Sequence, residues 1–347
     1  MMKKSDNLYL LFFTLFLTGI VIYSSGCISD SSDSEEKTVV KILPAGSLML
    51  PFEYLEKDYE AKNPGIDIQY EGHGSIQCIR QVTDLNRNFD LVVVADSSLI
   101  PDMMFRENPG TGVNYSDDYT EFATNELVIA YTNESLYSDE INSENWYEIL
   151  KRPEVTVGFS NPMLDAAGYR AFMLFQLARQ YYSEEHLLNE IAGDHIRGGV
   201  TIKKDGDCER ILLPELVHPS DKKLKIRDGS IFLLYLLEGG GVDYAIEYKS
   251  VAEGHGLNYV RLQEEINLKN SSMNNRYDDV SVNLGFERFS SIGSERIGRS
   301  IVYAWTIPNN AKNPDEAERF ADYMEEEFRN NRYGWPPSLY SGKRLAL

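Results

Sequence analysis

The chain has 347 residues, 42% of them hydrophobic and 25% charged, which is an ordinary folded composition with length for one large domain or two lobes. Its formal net charge of −20 excludes a nucleic-acid partner, because phosphate binding needs clustered Lys and Arg. It also means that any anion site must act locally, within the screening length of about 8 Å at physiological salt. The three cysteines form no CxxC pair and the five histidines show no HxxxH or HExxH spacing, so no metal centre and no prosthetic group are expected.

Lys3 and Lys4 precede an apolar run over 8–23, followed by Ser24, Ser25, Gly26 and Cys27, the layout of an export signal. The Ser-Gly-Cys end resembles a lipoprotein processing site and predicts a signal peptide over 1–27, with Cys27 as the lipidated first mature residue. Ser24 departs from the aliphatic residue usual three places before the cysteine. The alternative is an uncleaved anchor, for which the run is short against about 20 residues. Either way the chain is tethered to the outer face of the membrane. Residues 28–37 are rich in Ser and acids and read as a flexible tether, with folded structure from Thr38. Outside the membrane Cys78 and Cys208 are available to pair where geometry allows. Asn114, Asn133 and Asn270 head Asn-x-Ser triplets.

Further along, apolar strands are expected at 39–44, 67–71, 91–95, 126–131, 155–159, 243–248 and 301–307. Amphipathic helices are expected at 49–62, 76–86, 168–182, 230–237 and 314–329. Strands separated by helices predict an α/β fold with largely parallel sheets. Residues 221–227 read as solvated basic surface, and 264–294 as loop with a connecting strand.

One arrangement occurs four times: a small polar residue where a helix begins. The instances are Ser47 in ILPAGS, Ser75 in YEGHGS, Asp165 in NPMLDAAGYR and Ser230 in RDGS. Each alone is a capped helix, since Ser and Asp oxygens satisfy free backbone donors. Together they are candidate anion contacts, because helix N-termini present N–H groups and partial positive charge. In open α/β sheets such loops gather where ligands bind. Gly46, Gly72 and Gly74 let backbone approach a ligand. Asp165 beside an anion is unfavourable unless it is protonated, paired or bonded to the ligand's central atom, which favours a metal oxyanion able to expand its coordination. No G-x-S-x-G elbow, P-loop or nucleophile–base pair is present, so an enzyme is not expected.

The stretches KILPAGSL, YEGHGS, DAAGYRA and DYAIEYKSVAEGHGLNYV, with IVYAWTIPNNAKNPDEAERFADYM, resemble the archaeal tungstate/molybdate-binding proteins, receptors of binding-cassette importers. The likeness runs from about 38 to 324; residues 325–347 do not match. It implies a type II periplasmic-binding-protein fold, with lobe 1 at 38–123 and 270–347, lobe 2 at 124–269, and hinge strands between them. It implies oxyanion contacts from Gly46, Ser47, Ser75, Ala166 and Ser230, a metal contact from Asp165 and an oxo contact from the Tyr248 hydroxyl. The implied partners are a tungstate or molybdate ion, a permease with its ATPase and the membrane, with the receptor acting as a monomer. Ser230 stands where the family usually has glutamate, eighteen residues before Tyr248, and strand alternation turns Glu247 to the opposite side. Two other readings remain open. One is a same-fold receptor for sulfate, phosphate or an organic acid, the last needing an Arg clamp; Arg170 is the candidate, read here as a structural pair. The other is a non-binding adhesion or signalling protein.

Overall fold

Strand Leu91–Val94 reads LVVV and all four side chains are buried, as suits a strand covered on both faces. The computed structural model describes residues 37–285 and 295–346; the export signal, Cys27 and most of the tether lie outside the described residues. From Thr38 the chain forms one compact unit.

The chain first lays down β1 (Thr38–Pro44), α1 (Met49–Lys62), β2 (Ile66–Tyr70), α2 (Ser75–Thr83), β3 (Leu91–Val94), α3 (Leu99–Met104) and β4 (Asp118–Thr124). It continues through β5 (Leu127–Tyr131), α4 (Trp146–Lys151), β6 (Val157–Ser160), α5 (Ala166–Tyr182) and α6 (Leu187–Ile191), then the hairpin β7 (Thr201–Asp205) and β8 (Cys208–Leu212). Next come β9 (Leu224–Arg227), α7 (Ser230–Glu238), β10 (Tyr244–Tyr248), α8 (Lys249–Gly254) and β11 (Asn258–Arg261). The described chain closes with α9 (Asn274–Tyr277), β12 (Val280–Asn283), β13 (Glu295–Ile297), β14 (Val302–Thr306), α10 (Pro314–Arg329) and β15 (Ser338–Ala346).

These strands form a six-stranded sheet in the order β15-β4-β14-β3-β1-β2, a five-stranded sheet β11-β5-β10-β6-β9 and a four-stranded sheet β13-β12-β8-β7. β1 runs parallel to β2 and β3, and β6 runs parallel to β9 and β10, so each of the two larger sheets contains βα units whose loops emerge at one edge. The chain leaves the first sheet after Thr124 and enters the second at Leu127. It re-enters the first at Val302, after passing through the third sheet.

At the crossing, the buried Glu126 is faced by Arg261 at 3.1 Å, Lys269 at 3.6 Å and Lys249 at 3.7 Å. Asn125 donates to the Ser250 hydroxyl at 2.8 Å and to the Tyr303 hydroxyl at 3.1 Å.

Helices α1 and α10 begin and end at the expected residues. Asn63-Pro64 stops α1, since a residue before proline avoids the helical region. Pro314 opens α10 with Asp315 and Glu316 in its first turn and Arg329 in its last. The two helices pack together through Phe52 and Phe320 (ring centroids 5.9 Å) and a 2.5 Å bond from Tyr59 to Glu316.

The sheets are mixed rather than largely parallel, because β4, β5, β11, β14 and β15 pair antiparallel. The 221–227 stretch, expected as solvated surface, holds β9, with Lys223 and Leu224 buried. Further regions also differ from expectation. β4, β7 and β8 are strands that the apolar pattern did not reveal, because most of their residues are polar or partly exposed. Residues 264–294 hold α9 and β12, where Val280 and Val282 are buried; 286–294 lie outside the described residues. The unmatched 325–347 stretch completes α10 and then supplies β15, which pairs antiparallel with β4. Between them Trp335 packs on Phe328 (4.9 Å), and Gly334, at φ 77°, lies against Gly254 of α8. A Cβ on Gly334 would come within 2.6 Å of the Gly254 Cα. Cys78 and Cys208 are both free thiols. No helix among the described residues is long and apolar enough to cross a membrane.

Candidate functional site

The four helix starts meet. A Cβ on Gly46 would lie 3.7 Å from the Ser230 Oγ. A Cβ on Gly74 would lie 2.4 Å from the Leu164 carbonyl oxygen and 2.7 Å from the Asp165 Cβ, and one on Gly229 would lie 3.9 Å from the Gly74 nitrogen. Gln77 N–H of α2 donates to Leu164 O at 3.1 Å, and Ser75 N–H reaches Asp165 Oδ1 at 3.4 Å. Residues from the first sheet's loops therefore touch residues from the second's.

The caps differ from the simple expectation. Asp165 occupies the N-cap position of α5, with Ala166 as the first helical residue. Ser75 and Ser230 sit one place further in, and the caps are Gly74 and Gly229. Ser47 lies in a short 3-10 turn, Gly46–Leu48, and α1 starts after it. Glycine caps offer no side-chain acceptor, so these hydroxyls are used elsewhere. Ser75 Oγ accepts from Ala95 N–H at 3.0 Å, and Ser47 Oγ shares a 2.9 Å bond with the Tyr303 hydroxyl.

Tyr248, at the end of β10, is buried. Its hydroxyl accepts from Arg170 Nη1 at 2.8 Å, and its ring meets Tyr303 edge-on at 6.0 Å. Arg170 also donates to Ala95 O at 2.7 Å and pairs with Asp96 at 3.2 Å. Asp96 further accepts from Tyr169 at 2.5 Å and from the Ser98 hydroxyl at 2.8 Å. Arg170 is thus a structural pair spanning the two sheets, with its charge committed to Asp96.

Burial raises the Asp165 pKa, although the Ser160 hydroxyl and the N–H groups of Ser75, Ala166 and Ala167 pull it back. Glu247 is wholly buried, and that burial, reinforced by the charge of Asp165, pushes its carboxyl up to about 8. For Asp96 burial works upward too, but Arg170, Tyr169 and Ser98 hold it below the usual carboxylate range. No group of three or more His, Cys, Asp or Glu side chains that could hold a metal ion occurs among the described residues.

Ser47, Ser75, Asp165, Ala166, Ser230 and Tyr248 are all buried. Gly46, Ser47, Leu50, Ile231, Ser250 and Gly334 line a gap of about 10 Å³ between the two sets of loops, which leaves this edge of the cleft shut. Tyr303, Asn125 and Ser160 also belong to this neighbourhood and were not anticipated, and so does Glu247, which strand alternation was expected to turn away. Their strand and loop positions carry no local motif.

Two mixed α/β sheets thus set their helix starts face to face across a cleft. The chain belongs to the family described as bacterial extracellular solute-binding protein, whose profile matches residues 40–329. It is 38% identical over 324 residues to the molybdate/tungstate-binding protein WtpA of Thermococcus kodakarensis, covering 89% of this chain and 86% of that one. It is 37% identical over 325 residues to an uncharacterised solute-binding protein of Methanococcus maripaludis, covering 92% and 89%. Among solved structures it matches the periplasmic molybdate-binding protein of Azotobacter vinelandii with a TM-score of 0.46 and 11% identity, over 82% of this chain and 92% of that one.

Proposed function

We propose that this receptor captures tungstate or molybdate in the cleft between its two larger sheets and delivers it to a membrane permease driven by an ATPase. The observation that carries the reading is the meeting of four helix starts around Asp165 in a chain of net charge −20. Helix N-termini give an anion local N–H donors and partial positive charge that the rest of the molecule does not provide. The relatives named molybdate/tungstate-binding proteins support the same ligand.

In this reading Gly46, Ser47, Ser75, Ala166 and Ser230 donate from backbone or hydroxyl groups to the oxo oxygens. Asp165 approaches the metal atom, and Tyr248 closes over the ion. The protein does no chemistry on its cargo. Closure brings the loops together, opening releases the ion to the permease, and Cys27 holds the receptor at the membrane's outer face. Ser230 supplies a neutral donor where a glutamate would add a second charge, so selectivity leans on the pocket's size.

Calorimetric titration of the chain from Ser29 with tungstate, molybdate and sulfate tests this. One-to-one binding of the first two, without sulfate heat, is expected, and Ser75→Ala combined with Asp165→Ala should abolish it. Sulfate binding, or affinity unchanged in the double variant, would overturn it.

A further inference from the structure

We propose that Glu247, with Ser160 beside it, is a ligand-contacting pair on the floor of this cleft; the proposal rests on the oxyanion reading above. Glu247 Oε2 accepts only the N–H of its own neighbour Tyr248, at 3.2 Å, and Oε1 has no partner. Ser160 Oγ is buried too, its hydroxyl acting on the Asp165 carboxylate without a hydrogen bond of good geometry. Strand register brings the two together. β10 pairs with β6 in parallel register, Tyr244 with Val157 and Ala245 with Gly158. Two residues further on, the same register sets Glu247 beside Ser160, at the carboxyl ends of both strands.

Their face is the one under α7. Ala245 clusters with Val128, Leu233 and Leu237, and a Cβ on Gly158 would meet Leu233 at 2.5 Å. Glu247 and Ser160 lie one step beyond on that face, toward the first turn of α7 and Ser230. Tyr248 turns to the other face, toward Arg170. Alternation therefore sends Glu247 away from Tyr248, yet into the space beneath the fourth helix start rather than into solvent.

Buried polar atoms nearly always have partners, and an unpartnered carboxyl oxygen in a ligand cleft requires an explanation. Among the described residues Asp165 is the charged group that acts on Glu247, and no cation there satisfies it. An entering oxyanion does. The Ser160 hydroxyl and the Glu247 carboxyl, which burial keeps protonated at neutral pH, then donate to its oxygens. The ligand-free protein carries the penalty of the empty pair, and binding relieves it.

The test compares Glu247→Gln and Glu247→Leu with the wild-type chain from Ser29, by titration with sodium tungstate and by thermal melting without ligand. The Gln variant, which keeps a donor of the same shape, should bind within about threefold of wild type. The Leu variant should bind at least about tenfold more weakly while its ligand-free melting temperature holds or rises. A Leu variant that binds within twofold of wild type, or one whose weaker binding comes with a lower melting temperature, would overturn the role of Glu247. A wild-type chain that binds neither tungstate nor molybdate would overturn the oxyanion reading, and this role with it.

Discussion

The Arg170 guanidinium and the Asp96 carboxylate meet at 3.2 Å with side chains only 2% and 7% exposed, one on α5 beside the second sheet and the other on the loop leaving β3 of the first. An ion pair this deep contributes little net stability when whole, but removing one partner strands a charge. Arg170→Ala should destabilise the protein by about 3–5 kcal/mol in urea titrations. Asp96 titrates below its usual range in the folded state, so its contribution is present above about pH 4 and lost as pH falls below that. Asp96→Asn should flatten that acid limb.

Glu247 behaves in the opposite sense. Its folded pKa of about 8 lies above the unfolded value of about 4.3, so between those limits the folded state holds the extra proton. Stability should fall as pH rises through this window, by up to about 1.4 kcal/mol per pH unit from this group. Denaturant titrations at pH 5, 6.5 and 8 should show the slope in wild type and lose most of it in Glu247→Gln.

Gly74 has φ −62° and ψ 147°, a conformation alanine accepts. Its Cβ, however, would lie 2.4 Å from the Leu164 oxygen across the cleft. Gly74→Ala should leave the circular dichroism spectrum intact and weaken tungstate binding at least about tenfold. Small-angle scattering with ligand should show a larger radius of gyration than wild type.

Ser47, Tyr303 and Asn125 form a hydrogen-bonded line from the first helix start to the crossing between sheets. Tyr303→Phe should cost about 1 kcal/mol in denaturant stability. Its effect on tungstate affinity should be less than additive with that of Ser47→Ala, because both variants break one bond. A double-mutant cycle by calorimetry measures this.

Local signals were legible wherever a boundary had its own chemistry. Pro64 and Pro314 mark helix ends, and the Gly-Ser and Asp-Ala turns mark helix starts, which is why Ser47, Ser75, Asp165 and Ser230 could be nominated together. The same turns misled in detail, since Gly74 and Gly229 take the cap positions, and Ser75 accepts from Ala95 N–H instead. Tyr248 and Ala166 came forward only through resemblance. Glu247 was set aside because alternation turns it from Tyr248. Ser160 stayed hidden because its nearness to Glu247 is a property of strand register, and Tyr303 because its partners lie 178 and 256 residues away. β15 could not be read from its own residues, because an edge strand is defined by its pairing, here with β4, rather than by a motif of its own.

In the first sheet β14 lies between β3 and β4, and β15 forms the edge beyond β4. During synthesis, β1 to β4 therefore emerge nearly two hundred residues before the strand that joins them. That wall of the cleft cannot be zipped up until the last segments leave the ribosome or the export channel, and contacts this distant in sequence form slowly. A nascent chain stopped between the end of α7 and Val302 would carry every helix start of the site and still have no finished scaffold on which to gather them.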